Sequence, residues 1–114
     1  MNLISIDGWP LRASVRPAGS DGVTGRLVAA GEFDKDNVDL LSAPVRRAIT
    51  GGQATITIDF DKVTFIDAGV VGALIGCQKL AVRHGCLLRI VNPSGIVAFV
   101  LNATGTWEAL CGPD

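Results

Sequence analysis

The chain has 114 residues, 48% of them hydrophobic and 18% charged, which is too apolar for a disordered polymer and enough for one core. Ten Lys and Arg against eleven Asp and Glu leave a formal charge of -1. No run of five like charges occurs, so the clustered basic footprint that nucleic acid needs is missing and direct nucleic-acid binding is not expected. The longest nearly uncharged apolar stretch, Ala68 to Cys77, is about half the length of a membrane-crossing helix, so no membrane partner is expected. The N-terminus, MNLISIDGWP, lacks the basic start and long apolar middle of a secretory signal, which makes the cytoplasm the default compartment. Cys77, Cys86 and Cys111 have no CxxC spacing; they read as small buried hydrophobes rather than as a disulfide framework or a zinc site.

In chain order, Leu3 to Ile6 can add an edge strand within an N-terminal extension over residues 1–10, and the domain proper spans residues 11–114. Leu11, Ala13 and Val15 alternate with polar residues, the period-two mark of a half-buried strand, and Pro17 to Gly22 is a cluster of turn formers. Val23 to Phe33 reads as a strand inside a sheet, because Leu27, Val28, Ala29 and Ala30 are apolar on both faces. Asp34 to Asn37 supplies helix-start chemistry for a helix through Ile49. Pro44 falls inside that window: either the helix bends there or Ser42 restarts it.

Gly51 and Gly52 end this helix, and Ala54 to Phe60 alternates cleanly as a strand. Asp67 opens a second helix whose Val70, Leu74, Cys77 and Ala81 form one apolar stripe, and Gly85 stops it. Cys86 to Val91 is a further strand, and Asn92 and Pro93 turn the chain. Ser94 can cap a third helix carrying Ile96, Val97, Val100 and Leu101, and Trp107 to Leu110 forms a last short helix that lays an aromatic on the core edge. Strands alternating with helices after an opening hairpin predict an α/β fold: a mixed sheet of four to five strands flanked by about four helices, in a single domain.

Chemistry is scarce. His84, the sole histidine, stands beside the glycine that ends a helix and has no catalytic partner at a usable spacing, and its combination with Cys77 and Cys86 is a poor metal set. Neither GxGxxG nor GxxxxGK[ST] occurs, so no cofactor and no metal are expected, and the chain is not expected to be an enzyme. One segment has definite character: Val63 to Val70 reads as a loop feeding a helix whose first residues, Ala68 and Gly69, are very small. The mouth of such a helix presents free N–H groups and partial positive charge, which Asp67 can satisfy as a cap or which a partner can use.

Four segments in order, GEFD at Gly31 to Asp34, VTFIDAGVVGALIG at Val63 to Gly76, LLRIVNPS at Leu87 to Ser94 and a helix ending at Thr104-Gly105, together resemble a STAS domain over Leu11 to Leu110. STAS domains occur in bacterial anti-sigma factor antagonists and in the cytoplasmic parts of sulphate transporters. The resemblance implies transcription regulation by protein binding: an anti-sigma factor of the serine kinase type is bound and a sigma factor is released. In phosphorylation-controlled members the helix opens with a motif like Asp-Ser-Ser-Gly, and the second serine accepts the phosphate. Here the same stretch reads Asp67-Ala68-Gly69-Val70, so the acceptor position falls on Gly69, which has no hydroxyl.

The resemblance therefore implies a partner-binding surface at Asp67, Ala68, Gly69 and Val70, with Asp34 near the same end of the sheet, either as a contact or as a capping carboxylate. Thr64 and Ser94 are nearby hydroxyls better explained as a turn residue and a cap. Arg46, Arg47, Lys79 and Arg83 either line a contact surface or are simply solvated. Cys111, near the chain end, motivates a redox input in place of phosphorylation. The rival functions are a small-ligand module for a nucleotide or anion, and a scaffold subunit, with a homodimer left open.

Overall fold

A computed structural model describes residues 12–112. Its elements are β1 (Ala13–Ser20), β2 (Thr24–Phe33), α1 (Asp39–Thr50), β3 (Thr55–Ile66), α2 (Ala68–Arg83), β4 (Leu87–Val91), α3 (Gly95–Ala103) and α4 (Trp107–Cys111). The strands lie in the order β1-β2-β3-β4, with β1 antiparallel to β2 and the β2/β3 and β3/β4 pairs parallel. This is the expected mixed sheet with four helices. Leu11 and the edge strand expected at Leu3 to Ile6 fall outside the described residues.

The period-two patterns decide which face is buried. In register, Leu27 of β2 sits beside Ile58 of β3, which sits beside Ile90 of β4; Ile56 sits beside Leu88. All are buried, as are Ala29 and Phe60 on the same face. Leu41, Val45 and Ile49 of α1 and Val70, Leu74, Cys77 and Ala81 of α2 complete one core cluster with them. Burying each such side chain contributes roughly 1.5–3 kcal/mol, so a single contiguous layer holds the helices on the sheet. Trp107 packs at the edge of this cluster, as the sequence implies.

Several local expectations change in three dimensions. β1 continues through Pro17 to Ser20 instead of turning at Pro17. It lies at an edge of the described sheet, where a residue without an N–H is tolerated, and its register slips between Pro17 and Ser20. The turn comes later, at Asp21, whose carboxylate accepts hydrogen bonds from the backbone N–H of Val23 and Thr24. Helix α1 begins at Asp39 and runs unbroken through Pro44, so Ser42 does not restart it.

Most consequential, β3 does not stop at Phe60. Register shifts against β2 between Val28 and Ala30 and between Gly31 and Glu32 let the strand absorb extra residues and continue to Ile66. The segment Val63 to Ile66 is thus strand, not loop, with Val63 beside Gly31 and Ile66 beside Phe33. Two exposed residues at the shift, Asp61 and Lys62, break the apolar alternation and conceal the continuation from a sequence reading.

The three cysteines behave as small hydrophobes. Cys77 and Cys86 are buried, and Cys111 is half-buried as the last residue of α4 rather than lying in a free tail. Burial pushes all three thiols above their ordinary pKa. Thiolate chemistry at Cys111 is therefore disfavoured, which removes the observation that motivated a redox input there.

Candidate functional site

Parallel strands β2, β3 and β4 point the same way, so the segments leaving their carboxyl ends gather on one edge of the sheet. Open α/β sheets characteristically bind at this edge, because side chains and helix N-termini converge there. Phe33 pairs with Ile66 at the last rung, so Asp34 and Asp67 leave the sheet side by side. Strand β4 ends earlier, at Val91 opposite Asp59, and α3 packs along the free stretch of β3 beyond it. Asn92 adopts φ 60° in the turn between them and donates from its side chain to Asp59.

Asp67 caps α2 as its position in the sequence implies. Its backbone is extended (φ -110°, ψ 179°) and its Oδ1 accepts the backbone N–H of Val70 at 2.9 Å. One of the four free N–H groups of the first turn is thereby satisfied from within. Asp67→Ala should lower stability by about 1 kcal/mol, seen as a melting temperature lower by about 4–8 °C in a thermal scan.

Beyond the cap, Ala68 and Gly69 are exposed, whereas Val70 is wholly buried. Val70 is therefore not a contact residue: it belongs to the apolar stripe that seats α2 on the sheet. At Gly69 an added Cβ would approach, among the described residues, only Asp67 Oδ1, at 3.4 Å, an ordinary contact. Space for a side chain exists there, and the chain simply does not place one in it.

Asp34 is half-buried and does not cap α1; the N-cap position falls on Val38, without a side-chain bond. Its Oδ1 instead accepts the backbone N–H of Asp36, its own N–H donates to Asn37 Oδ1, and its Oδ2 pairs with the Arg12 guanidinium. The backbone N–H of Asp36 and then the Arg12 side chain hold the Asp34 carboxyl below the usual carboxylate range. A partner reaching Asp34 meets an Asp-Arg pair rather than a lone carboxylate.

Thr64 and Ser94 are exposed on β3 and at the start of α3. Ser94 holds the N-cap position of α3 but makes no side-chain cap bond. His84 is the exposed C-cap residue of α2. Arg46, Arg47, Lys79 and Arg83 are exposed on α1 and α2, away from this edge. Among the described residues no group of three or more His, Cys, Asp or Glu is placed to hold a metal ion. No described helix is long and apolar enough to cross a membrane.

Sequence reading missed the apolar part of the site. Leu40 in the first turn of α1, Phe65 at the end of β3 and Ile96 and Phe99 on α3 are 40–66% exposed. The usable signal was α3 itself, a nine-residue helix without a single charged side chain. A helix lying on the surface without charges leaves apolar area for another surface to cover.

The sequence-family profile described as "Mlab, STAS domain" matches residues 18–110. The chain belongs to the STAS domain family. Among solved structures, the anti-sigma factor antagonist SpoIIAA in its unphosphorylated form superposes with a TM-score of 0.73 at 23% identity, over 85% of this chain and 85% of that one. An anti-sigma factor antagonist from Mycobacterium paratuberculosis gives 0.75 at 14% identity, over 86% and 82%. The murine anion transporter Slc26a9 gives 0.66 at 18% identity over 88% of this STAS chain but only 19% of the transporter. These likenesses establish the fold. No curated protein matches the sequence.

Proposed function

We propose that this STAS domain is a non-enzymatic anti-sigma factor antagonist: it binds a bacterial, cytoplasmic anti-sigma factor of the serine kinase type and so releases a sigma factor for transcription. The observation that carries the reading is the mouth of α2, where exposed Ala68 and Gly69 follow an internally satisfied cap at the carboxyl edge of the parallel strands. Two small exposed residues let a partner backbone approach the helix closely. Asp34 with Arg12 supplies polar contacts on one side, and Leu40, Phe65, Ile96 and Phe99 supply apolar area on the same edge. Fold-level likeness to two anti-sigma factor antagonists supports the partner class.

Regulation is the point at which this chain departs from phosphorylation-controlled relatives. With glycine at the acceptor position, a kinase partner has no hydroxyl to modify there, and the chain stays in a state equivalent to the unphosphorylated one. The test is a serine graft. Incubated with ATP and the anti-sigma kinase recovered by affinity capture from native lysate, wild type should incorporate no phosphate at position 69, and Gly69→Ser should become phosphorylated at that residue by mass spectrometry. Geometry permits the graft, since among the described residues the new Cβ meets only Asp67 Oδ1. Capture of a transporter or a metabolite in place of a kinase-like ATPase would overturn the reading.

A further inference from the structure

The charges of this chain are segregated in a way its net charge of -1 conceals. No Asp or Glu occurs from Leu40 to Ile58 or from Ala68 to Trp107, the segments that hold nearly all of α1 and the whole of α2 and α3. On α2, Gly72, Gly76, Lys79 and Arg83 are spaced by four, three and four residues, so they share one face. Arg46 of α1 reaches this face: a Cβ added at Gly76 would lie 3.3 Å from its guanidinium Nη2. Arg46, Lys79 and Arg83 thus form one exposed cationic ridge over a floor of two glycines. Among the described residues none of the three joins an ion pair; the three pairs present involve Arg12 and Lys35.

Two further features shape the ridge. Val82, three residues from Lys79 and adjacent to Arg83, is 72% exposed, more than any other large hydrophobic among the described residues. At Gly72 an added Cβ would meet no described residue within 4 Å, so the floor is open to an approaching backbone. Stabilisation of helix ends explains Arg83, in the last turn of α2, but not Arg46, whose guanidinium lies over the neighbouring helix. Lys79 and Arg83 stand ten and fourteen residues from Gly69, about 15 and 21 Å along the helix axis, so these two cations lie away from the α2 mouth, although the floor at Gly72 begins only three residues from it.

We infer that the Arg46-Lys79-Arg83 ridge is a second docking surface, and that it takes an acidic polypeptide segment carrying an aliphatic residue. Carboxylates of the segment would pair with the three cations while its aliphatic side chain packs on Val82. Opposite charges across such a contact steer encounter and fix register. A polypeptide fits better than a nucleic acid. Three cations neutralise few phosphates, and the exposed Val82 finds no apolar complement on a phosphate backbone.

The experiment is a titration of the isotope-labelled protein, followed by amide NMR, with a capped hexapeptide of four acidic residues around two leucines. Amide shifts should concentrate on residues 72–83 and on Arg46. The triple substitution Arg46→Gln, Lys79→Gln, Arg83→Gln should weaken binding by about tenfold or more, and Val82→Ser by about threefold. A control triple on the outer face of the sheet, Arg16→Gln, Arg26→Gln, Lys62→Gln, removes the same charge and should leave affinity within about twofold. Lys79→Gln alone, at an exposed side chain, gives the same reading at about threefold should the triple fold poorly. Equal losses in both triples, shifts centred elsewhere, no binding, equal binding of the amide-substituted peptide, or binding only to short DNA or anionic phosphatidylglycerol vesicles would each overturn the proposal. The result does not depend on whether the α2 mouth binds its partner.

Discussion

Gly69→Glu is expected to weaken the proposed complex with a kinase-type anti-sigma factor by at least about 30-fold, roughly 2 kcal/mol, measured by calorimetry. A carboxylate at this position places negative charge where phosphorylation-controlled members would carry a phosphate. It also fills the space that a close partner backbone would use. Folding should not confound the measurement. Position 69 is the second residue of α2, exposed, and its nearest neighbour for a new Cβ is the Asp67 carboxylate at 3.4 Å. An acidic residue in the first turn is stabilised by the helix dipole by about 0.3–1 kcal/mol, which offsets repulsion from the exposed face of Asp67. Replacing glycine within a helix contributes about another 0.5–1 kcal/mol. Gly69→Gln separates charge from size: a large loss with Glu and a small one with Gln identifies charge as the switch. Unchanged affinity in both variants would remove the α2 mouth from the interface.

Gly31→Ala is expected to cost at least about 3 kcal/mol of stability, read as a shifted midpoint in urea unfolding. Gly31 opens the GEFD segment and adopts φ 95°, a conformation that a Cβ strains. The built Cβ would also lie 2.1 Å from the backbone oxygen of Arg12 and 2.9 Å from Ala13 Cα. Those atoms belong to Arg12, just ahead of β1, and to the first residue of β1; the Arg12 carbonyl accepts the N–H of Glu32 at 2.9 Å. Relief requires β1 to move away from β2, which would break this bond and the Arg12 contacts to Asp34 and Glu32 as well. Gly72→Ala is the matched control. Its Cβ meets no described residue within 4 Å and it lies inside α2, so it should be neutral or stabilising by up to about 1 kcal/mol. A similar midpoint for both variants would show that Gly31 is conformationally idle.

The two glycines also separate what a motif can mean. In GEFD the glycine is demanded by backbone geometry, while the aspartate is held by Arg12 and by the turn that follows. At Asp67-Ala68-Gly69 the aspartate is demanded by the helix start, and the glycine by nothing among the described residues. A small residue without an internal structural reason, on an exposed helix mouth, is what an external partner would account for.

Much of this molecule was legible from local chemistry. Period-two alternation in Ala54 to Phe60 and the three- and four-residue spacing of Val70, Leu74, Cys77 and Ala81 name the core faces, because strands and helices repeat at those periods. The cap at Asp67 follows from a short side chain placed three residues before a free N–H, and the missing hydroxyl at Gly69 is a matter of residue identity alone. What distant chain neighbours decide stayed hidden. β3 runs to Ile66 because bulges against β2 absorb one extra residue between Asp59 and Lys62 and another between Val63 and Phe65, and a pairing shift leaves no local trace beyond broken alternation. Val70 is withdrawn from the surface by the sheet beneath it, Asp34 is claimed by Arg12 just ahead of β1, and Arg46 lies over Gly76 of α2 only because α1 packs beside α2. Side-chain chemistry and its short-range periods are written along the chain, whereas partners separated by tens of residues are set by how layers close on one core.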